Sequence, residues 1–240
     1  MTDAVVIIPT YNEAENVEAI INAVFSLDSA FDVLIVDDNS PDKTHVIVQR
    51  LQKTYPERLH LEVRKEKSGL GTAYIHGFKW CLEKGYTYIF EMDADFSHNP
   101  KDLERLYKAC KVDGADMSIG SRYVKGVNVV NWPIGRVILS YMASKYVRLI
   151  TGMKIYDTTA GFVCYHRNVL EALDLDEIKF IGYAFQIEMK FNAYRKKFKI
   201  VEVPIVFTDR VRGESKLSKS IISEAVFGVL KMKYRSLFKK

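Results

Sequence analysis

Tyr86-Thr87-Tyr88-Ile89-Phe90-Glu91-Met92-Asp93-Ala94-Asp95 decides the fold. An apolar, β-prone run ends in two carboxylates one residue apart. In open α/β sheets ligands bind just beyond the carboxyl ends of strands. Two aspartates leaving a strand can hold a divalent cation, and the cation can hold a diphosphate. A lone Asp-x-Asp is common in surface turns. This one has company upstream. Pro9-Thr10-Tyr11-Asn12-Glu13 and Val36-Asp37-Asp38-Asn39-Ser40-Pro41-Asp42 also follow short apolar runs. Three polar clusters at successive strand ends point to one site.

Working outward, the first half alternates. Residues 4–9, 33–36, 59–64, 86–92 and 115–119 read as strands, and 14–27, 42–55, 71–84 and 102–112 as helices. This rhythm predicts an α/β fold, a mainly parallel twisted sheet covered by helices. A dinucleotide-binding sheet is the obvious rival, but the first strand runs into Pro-Thr-Tyr-Asn-Glu where Gly-x-Gly-x-x-Gly belongs. Gly69-Leu70-Gly71 is a glycine pair without its third member. In the second half, 134–150 and 183–195 read as helices, and 162–165 and 200–204 as short strands. Residues 218–238 read as a terminal helix. There Ile221, Ile222, Ala225, Val226, Val229 and Leu230 share one face at 3.6-residue spacing.

Composition sets bounds. The 240 residues, 48% hydrophobic and 27% charged, are those of a globular protein. No run reaches the roughly 18 apolar residues of a membrane span. The start, Met1-Thr2-Asp3-Ala4, lacks the basic and apolar regions of a signal peptide. Cys81, Cys110 and Cys164 have no metal spacing and read as reduced structural thiols of a cytosolic protein. The net charge of +5 is uneven: residues 190–240 hold 14 Lys/Arg against 4 Asp/Glu, leaving −5 for residues 1–189. A basic end favours an anionic partner.

The three clusters resemble those of the family 2 glycosyltransferases. The match narrows with Gly69-Leu70-Gly71-Thr72-Ala73-Tyr74-Ile75-His76-Gly77, Met92 to His98, Ser121-Arg122-Tyr123, and Asp209 to Lys216. These are similar to the dolichyl- and polyprenyl-phosphate mannose synthases, over about residues 4–217. The resemblance implies a GT-A-like, Rossmann-type three-layer αβα sandwich in residues 1–217, followed by a basic amphipathic helix in 218–240. It implies that Pro9, Tyr11 and Glu13 line a nucleoside pocket, with Val36 and Asp38 against base and ribose. Asp93, Ala94 and Asp95 would meet the nucleotide sugar. Asp93, Asp95 and Ser97 would hold Mg²⁺ or Mn²⁺. Arg122, Arg210 and Lys216 would bind phosphates or developing charge, with Asp93, Asp95 and Arg122 as the catalytic set. Where the family often has glycine, this chain has Asn39 and Lys43. Asn tolerates left-handed backbone angles, whereas Lys43 adds a bulky cation.

The implied reaction moves mannose from GDP-mannose to a polyprenyl or dolichyl phosphate, with UDP-glucose as an alternative sugar donor. A non-catalytic nucleotide-sugar sensor is the alternative from another class. A phosphate acceptor already carries about −1.5 to −2 charges at neutral pH and needs no general base; a hydroxyl acceptor would, and Glu188 is then the first candidate. His76, His98 and His166 read as local hydrogen-bonding groups, since none has metal-spaced partners. The expected partners are a membrane surface and a small membrane protein, with no nucleic acid. The expected location is cytoplasmic, peripheral on the cytoplasmic face of a membrane. Lys231, Lys233, Arg235, Phe227, Tyr234 and Phe238 give the last helix the character of an anionic-lipid binder. A helix docked on the sheet is the alternative.

Overall fold

Strand β1 (Ala4–Thr10) alternates its faces: Ala4, Val6 and Ile8 enter one core, Val5 and Ile7 the other. The computed structural model describes residues 2–209 and 219–238. From β1 the chain runs through α1 (Val17–Phe25), β2 (Asp32–Asp37), α2 (Thr44–Gln52), β3 (Leu59–Val63), α3 (Leu70–Lys84), β4 (Tyr88–Glu91), α4 (Asp102–Lys111) and β5 (Met117–Ser121). It continues through β6 (Val129–Val130), α5 (Ile134–Thr151), β7 (Val163–His166), α6 (Arg167–Ala172), α7 (Tyr183–Arg195), β8 (Ile200–Pro204), β9 (Phe207–Thr208) and α8 (Lys219–Phe238). Every element expected from the sequence is present. Helix α1 starts three residues later than expected because Glu13 O first takes the Asn16 and Val17 N–H groups in a turn. Strands β6 and β9 and helix α6 were not anticipated; two-residue strands are too short to show alternation.

The sheet order is β3-β2-β1-β4-β7-β5-β8, with β6 and β9 as a separate pair. All neighbours in the large sheet are parallel except β7, which is antiparallel to both β4 and β5. One face is covered by α1, α2 and α4, with Val17, Ile20, Val48, Leu103 and Leu106 buried. The other carries α3, α5, α7 and α8, with Tyr74, Phe78, Val147, Phe185 and Val229 buried. This is the expected three-layer αβα sandwich. Each fully buried side chain of this size stabilises the fold by about 1.5–3 kcal/mol before entropy is counted.

Two features open a crevice at the strand C-termini. Strand β1 pairs with β2 through Thr10 but with β4 only through Ile7. Ile7 O takes the Met92 N–H and Thr10 O takes the Asp38 N–H, so by alternation Pro9 faces β4 beyond the end of their pairing. A residue lacking an N–H loses no ladder bond there. Second, glycines admit close packing: a Cβ on Gly71 would lie 2.9 Å from Phe180 O and the Phe185 ring, and one on Gly77 2.9 Å from Ile7. These motif glycines therefore seat α3 on β1 and α7.

Helix α8 docks on α5 and α7. Val229 and Met232 are buried in the core, whereas Leu230, expected on the inward face, is 44% exposed. The side chains of Ile221, Ile222, Ala225 and Val226 lie outside the described residues. Among the described residues no helix is long and apolar enough to cross a membrane.

Candidate active site

The loop after β1 is stitched to the loop after β2. Asn12 N donates to Ser40 Oγ, Glu13 N to Thr44 Oγ1 and Ala14 N to Asp42 Oδ2, at 2.9–3.0 Å. Asp37 is wholly buried and accepts from Thr10 Oγ1, Ser40 N and Ser40 Oγ, so it is a structural staple. Asn12, Asn39 and Lys43 all have positive φ, at 58°, 55° and 63°. Asn39 behaves as its amide predicts. Lys43 stands where a glycine suits the backbone, which explains why glycine suits this position.

Asp38 is not a lone carboxylate: Arg64 Nε lies 2.6 Å from its Oδ1 and Nη2 2.5 Å, with both side chains largely buried. Arg64 also donates to Thr72 Oγ1 and Gly69 O. Lys67 Nζ lies 4.1 Å from the Tyr11 ring centroid. The loop after β3 thus packs against the strand ends that carry Tyr11 and Asp38. The side chain of Val36, expected against base and ribose, is instead sealed in the core with Val5 and Leu34. Val36 pairs with Pro9 on β1 and Glu62 on β3, and strand alternation sets its side chain on the α3 face of the sheet.

Asp93 and Asp95 leave β4 as expected. Asp93 is half-buried, while Ala94, Asp95 and Ser97 are buried. Asp95 Oδ1 accepts the Ser97 N–H at 3.0 Å. Phe96 between them has a φ of 60°, an uncommon left-handed angle for a bulky residue that marks a constrained turn. Beneath the pair, the Tyr74 hydroxyl is buried without a hydrogen-bond partner. Burial, then the charges of Asp93 and Glu91, push its pKa well above the phenol value. That concentration of negative field suits a cation. Among the described residues no group of three or more His, Cys, Asp or Glu side chains could hold one alone. Two carboxylates at an open strand end fit Mg²⁺ or Mn²⁺, which complete their shells with substrate phosphates and water.

Across the crevice, Arg122 is clamped. Its N, Nε and Nη2 donate to Asp157 at 2.9, 2.7 and 2.6 Å, and Nη2 also to Thr159 Oγ1. Asp157 is fully buried and Arg122 7% exposed. The guanidinium lies 5.1–5.6 Å from the rings of Tyr123, Trp132 and Phe207. Arg136 stacks on Trp132 at 4.2 Å and pairs with Asp209 at 2.9 Å. Thr208 N donates to Ser97 O, so the β6/β9 pair joins the two walls. Arg210, directly after Asp209, and Lys216 lie outside the described residues.

Of the three histidines singled out in the sequence, His76 pairs with Glu62 at 3.1 Å and His166 caps α6 by accepting the Asn168 N–H. His98 differs: it stacks on Phe162 at 4.8 Å, its Nδ1 has no partner, and burial pushes its pKa down to about 4. Glu188, the candidate base for a hydroxyl acceptor, accepts the N–H groups of Lys179 and Phe180 at 2.8 and 3.0 Å. It lines a groove of about 610 Å³ between α7 and α8, with Phe180, Met232 and Arg235, and none of Asp93, Asp95 and Arg122 borders it. Glu188 is a loop clamp.

Sequence reading missed Arg64, Lys67, Arg136 and Asp157. The basic run Arg64-Lys65-Glu66-Lys67 at a strand end was a usable signal. Asp157 had none, because its partner is 35 residues away.

Residues 5–174 match the family model for Glycosyl transferase family 2. The chain belongs to that family. Within it the chain groups with the polyprenyl-phosphate mannose synthases. It is 48% identical over 224 residues to a polyprenol monophosphomannose synthase of Mycolicibacterium smegmatis, covering 93% of this chain and 84% of that one. It is 45% identical to an undecaprenyl-phosphate mannosyltransferase of Micrococcus luteus, covering 93% and 90%. It is 40% identical to a dolichol-phosphate mannosyltransferase of Pyrococcus furiosus, covering 91% of this chain and 60% of that longer one. Among solved structures, glucosyl-3-phosphoglycerate synthase of Mycobacterium tuberculosis with Mn²⁺, UDP and glucosyl-3-phosphoglycerate superposes with a TM-score of 0.70 at 16% identity, over 96% of this chain and 79% of that one. That likeness shows the GT-A fold.

Proposed function

We propose that this chain is a metal-dependent, inverting mannosyltransferase that moves mannose from GDP-mannose to a polyprenyl phosphate at a membrane surface. The observation that carries it is the pairing of Asp93 and Asp95 at the end of β4 with the Arg122 clamp across a crevice. Phe207 touches both walls, 5.3 Å from His98 and 5.5 Å from Arg122. The names of the relatives support the choice of sugar and acceptor. GDP would lie along the pocket of Pro9, Tyr11, Glu13 and Asp38, with Lys67 displaced from Tyr11 to the nucleotide. Asp93 and Asp95, with Ser97 beside them, would hold Mg²⁺ or Mn²⁺. A bound cation supplies charge neutralisation for the departing diphosphate.

The protein's own task is orientation. Arg122 and Arg136, with Arg210 and Lys216 following Asp209, provide phosphate-matched cations. Held against the sugar, an acceptor phosphate oxygen attacks the anomeric carbon as the nucleoside diphosphate leaves from the opposite face. The phosphate is already ionised, and Glu188 is committed elsewhere, so no side chain is assigned as base.

Exposed apolar side chains support the membrane part. On α5, Ile134, Ile138, Met142 and Leu149 are 54–83% exposed, and on α8 Phe227, Leu230, Tyr234 and Phe238 are 44–72% exposed. Each set recurs at helical spacing, beside Lys145, Lys231 and Arg235. Apolar stripes flanked by cations suit an anionic bilayer surface, on the cytoplasmic side where the nucleotide sugar is found. We take residues 218–240 as an appended helix serving this surface; a small membrane protein is the other occupant it would suit.

The test is a transfer assay across GDP-mannose, UDP-glucose and other nucleotide sugars, with short polyprenyl phosphates and the matching polyprenols. Product from GDP-mannose and phosphate alone is expected. Equal rates with polyprenol and its phosphate overturn the acceptor; preference for another nucleotide sugar overturns the donor.

A further inference from the structure

Two charged residues buried behind the crevice have no part in the reaction above. Lys190, on α7, is wholly buried. Its Nζ donates to Ala160 O at 2.6 Å, Gln186 O at 3.2 Å and Gln186 Oε1 at 3.1 Å. Gln186 Nε2 in turn donates to Glu91 Oε2 at 2.7 Å. Glu91 is also wholly buried, and the Tyr165 hydroxyl donates to its Oε1 at 3.3 Å. The amide of Gln186 is the natural relay, since it offers an acceptor to the ammonium and a donor to the carboxylate.

The two ends of this chain of bonds are what matter. Glu91 is the last residue of β4, and the next but one is Asp93. Ala160 closes the turn that begins at Asp157, the residue that clamps Arg122, and runs through Thr159, which takes a further Arg122 bond. One helix, through one lysine and one glutamine, is thus bonded to the carboxylate wall and to the arginine wall.

Stability alone is a poor reason for this arrangement. Taking an ammonium and a carboxylate out of water is costly, and apolar residues of the same volume often serve as well or better. What a fully bonded polar chain supplies is a fixed geometry. We propose that Glu91, Gln186 and Lys190 form a buried strut that sets the spacing between Asp93–Asp95 and Arg122, and that all three are positioning residues for sugar transfer. The inference rests on the reading of those two walls as sugar-donor and acceptor subsites. Each wall keeps its own binding groups without the strut; only their mutual placement depends on it.

The test compares wild type with the double variant Glu91→Gln/Lys190→Met, which removes both charges together and so leaves no uncompensated ion. Melting temperature, GDP–Mn²⁺ affinity by calorimetry, and kcat and KM for GDP-mannose and a short polyprenyl phosphate are measured on each. The melting temperature and both KM values are expected to stay near wild type. The kcat is expected to fall about 10- to 100-fold, the scale of a misplacement near 1 Å. Gln186→Met cuts the relay while leaving the two buried charges in place and balanced, and is the second variant should the double one not fold; its kcat is expected to fall about three- to tenfold. A folded variant with kcat within about twofold of wild type overturns the strut. So does a parallel loss of stability, affinity and turnover, which is the signature of general damage. Absence of transfer in wild type sinks the mannosyltransferase reading instead, and GDP–Mn²⁺ affinity then still reports whether the carboxylate wall is intact.

Discussion

Asp157→Asn is the sharpest probe of the arginine wall. The aspartate receives three donors from Arg122 and has no water contact to fall back on. Removing one partner of a buried ion pair costs about 3–5 kcal/mol. Asn keeps one acceptor and the shape, so the lower end, about 3 kcal/mol, is expected. A domain with about 5–15 kcal/mol of stability survives that loss. At about 2–4 °C per kcal/mol for this size, the melting temperature should drop by about 6–12 °C. The effect has a pH signature. Burial alone would raise the Asp157 pKa, but the Arg122 charge and its bonds overcome this and hold it below the ordinary value. Its contribution is therefore complete above the unfolded carboxyl pKa of about 3.9 and is lost as pH falls through the lower folded value. The gap between wild type and variant should be constant from pH 8 to about pH 5 and should close in stronger acid. The assay is a series of thermal melts across that range. A drop under about 2 °C at neutral pH, or a gap that does not narrow in acid, refutes the clamp as described.

Other outcomes follow from the same geometry. Asp95→Asn should fold normally yet lose at least about 100-fold in transfer, on the scale of losing one preorganised electrostatic group, and wild type in excess chelator should be equally slow. Arg136→Met should lower transfer efficiency to polyprenyl phosphate by about 10- to 150-fold, the worth of a charged hydrogen bond, with GDP affinity unchanged by calorimetry. Lys43→Gly should stabilise the protein by about 1 kcal/mol, read by urea denaturation, because it relieves a left-handed residue. Replacing Phe227, Leu230 and Phe238 by Ser should weaken sedimentation with anionic vesicles, more so in high salt, without lowering the melting temperature. Deleting the whole helix is a less clean test, since Val229 and Met232 are buried in the core.

The alternation of strands and helices was legible because it lies within short windows of sequence. So were the three polar clusters, since each follows an apolar run. What stayed hidden depends on long-range pairing. The basic run at Arg64 was visible, but nothing in it announces its pairing with Asp38, 26 residues back. Nothing near Arg122 announces Asp157. The resemblance set Val36 against base and ribose; strand alternation places its side chain in the core, a direction that the motif alone does not give. Glu188 was the candidate base only for a hydroxyl acceptor; its partners, backbone amides of a preceding loop, are not visible in sequence. The inward position of Val229 was read correctly and that of its neighbour Leu230 was not, since the face of α8 packed on α5 and α7 is narrower than its apolar stripe.

Strand β7 returns between β4 and β5, and the Gly120 N–H bonds to Phe162 O, so the segment between them leaves and re-enters the sheet at one point. That excursion holds Trp132, Arg136 and all of α5. Evolution can lengthen, shorten or replace such a loop without disturbing the register of any strand, because its two ends are already neighbours. Strands β1, β2 and β4 all lie outside that excursion. On the proposed function the architecture is modular: the half built on β1, β2 and β4 would hold the activated sugar, and the excursion would help to select what receives it. A chimera that grafts another family member's excursion between Ser121 and Phe162 should keep its nucleotide preference and change its acceptor.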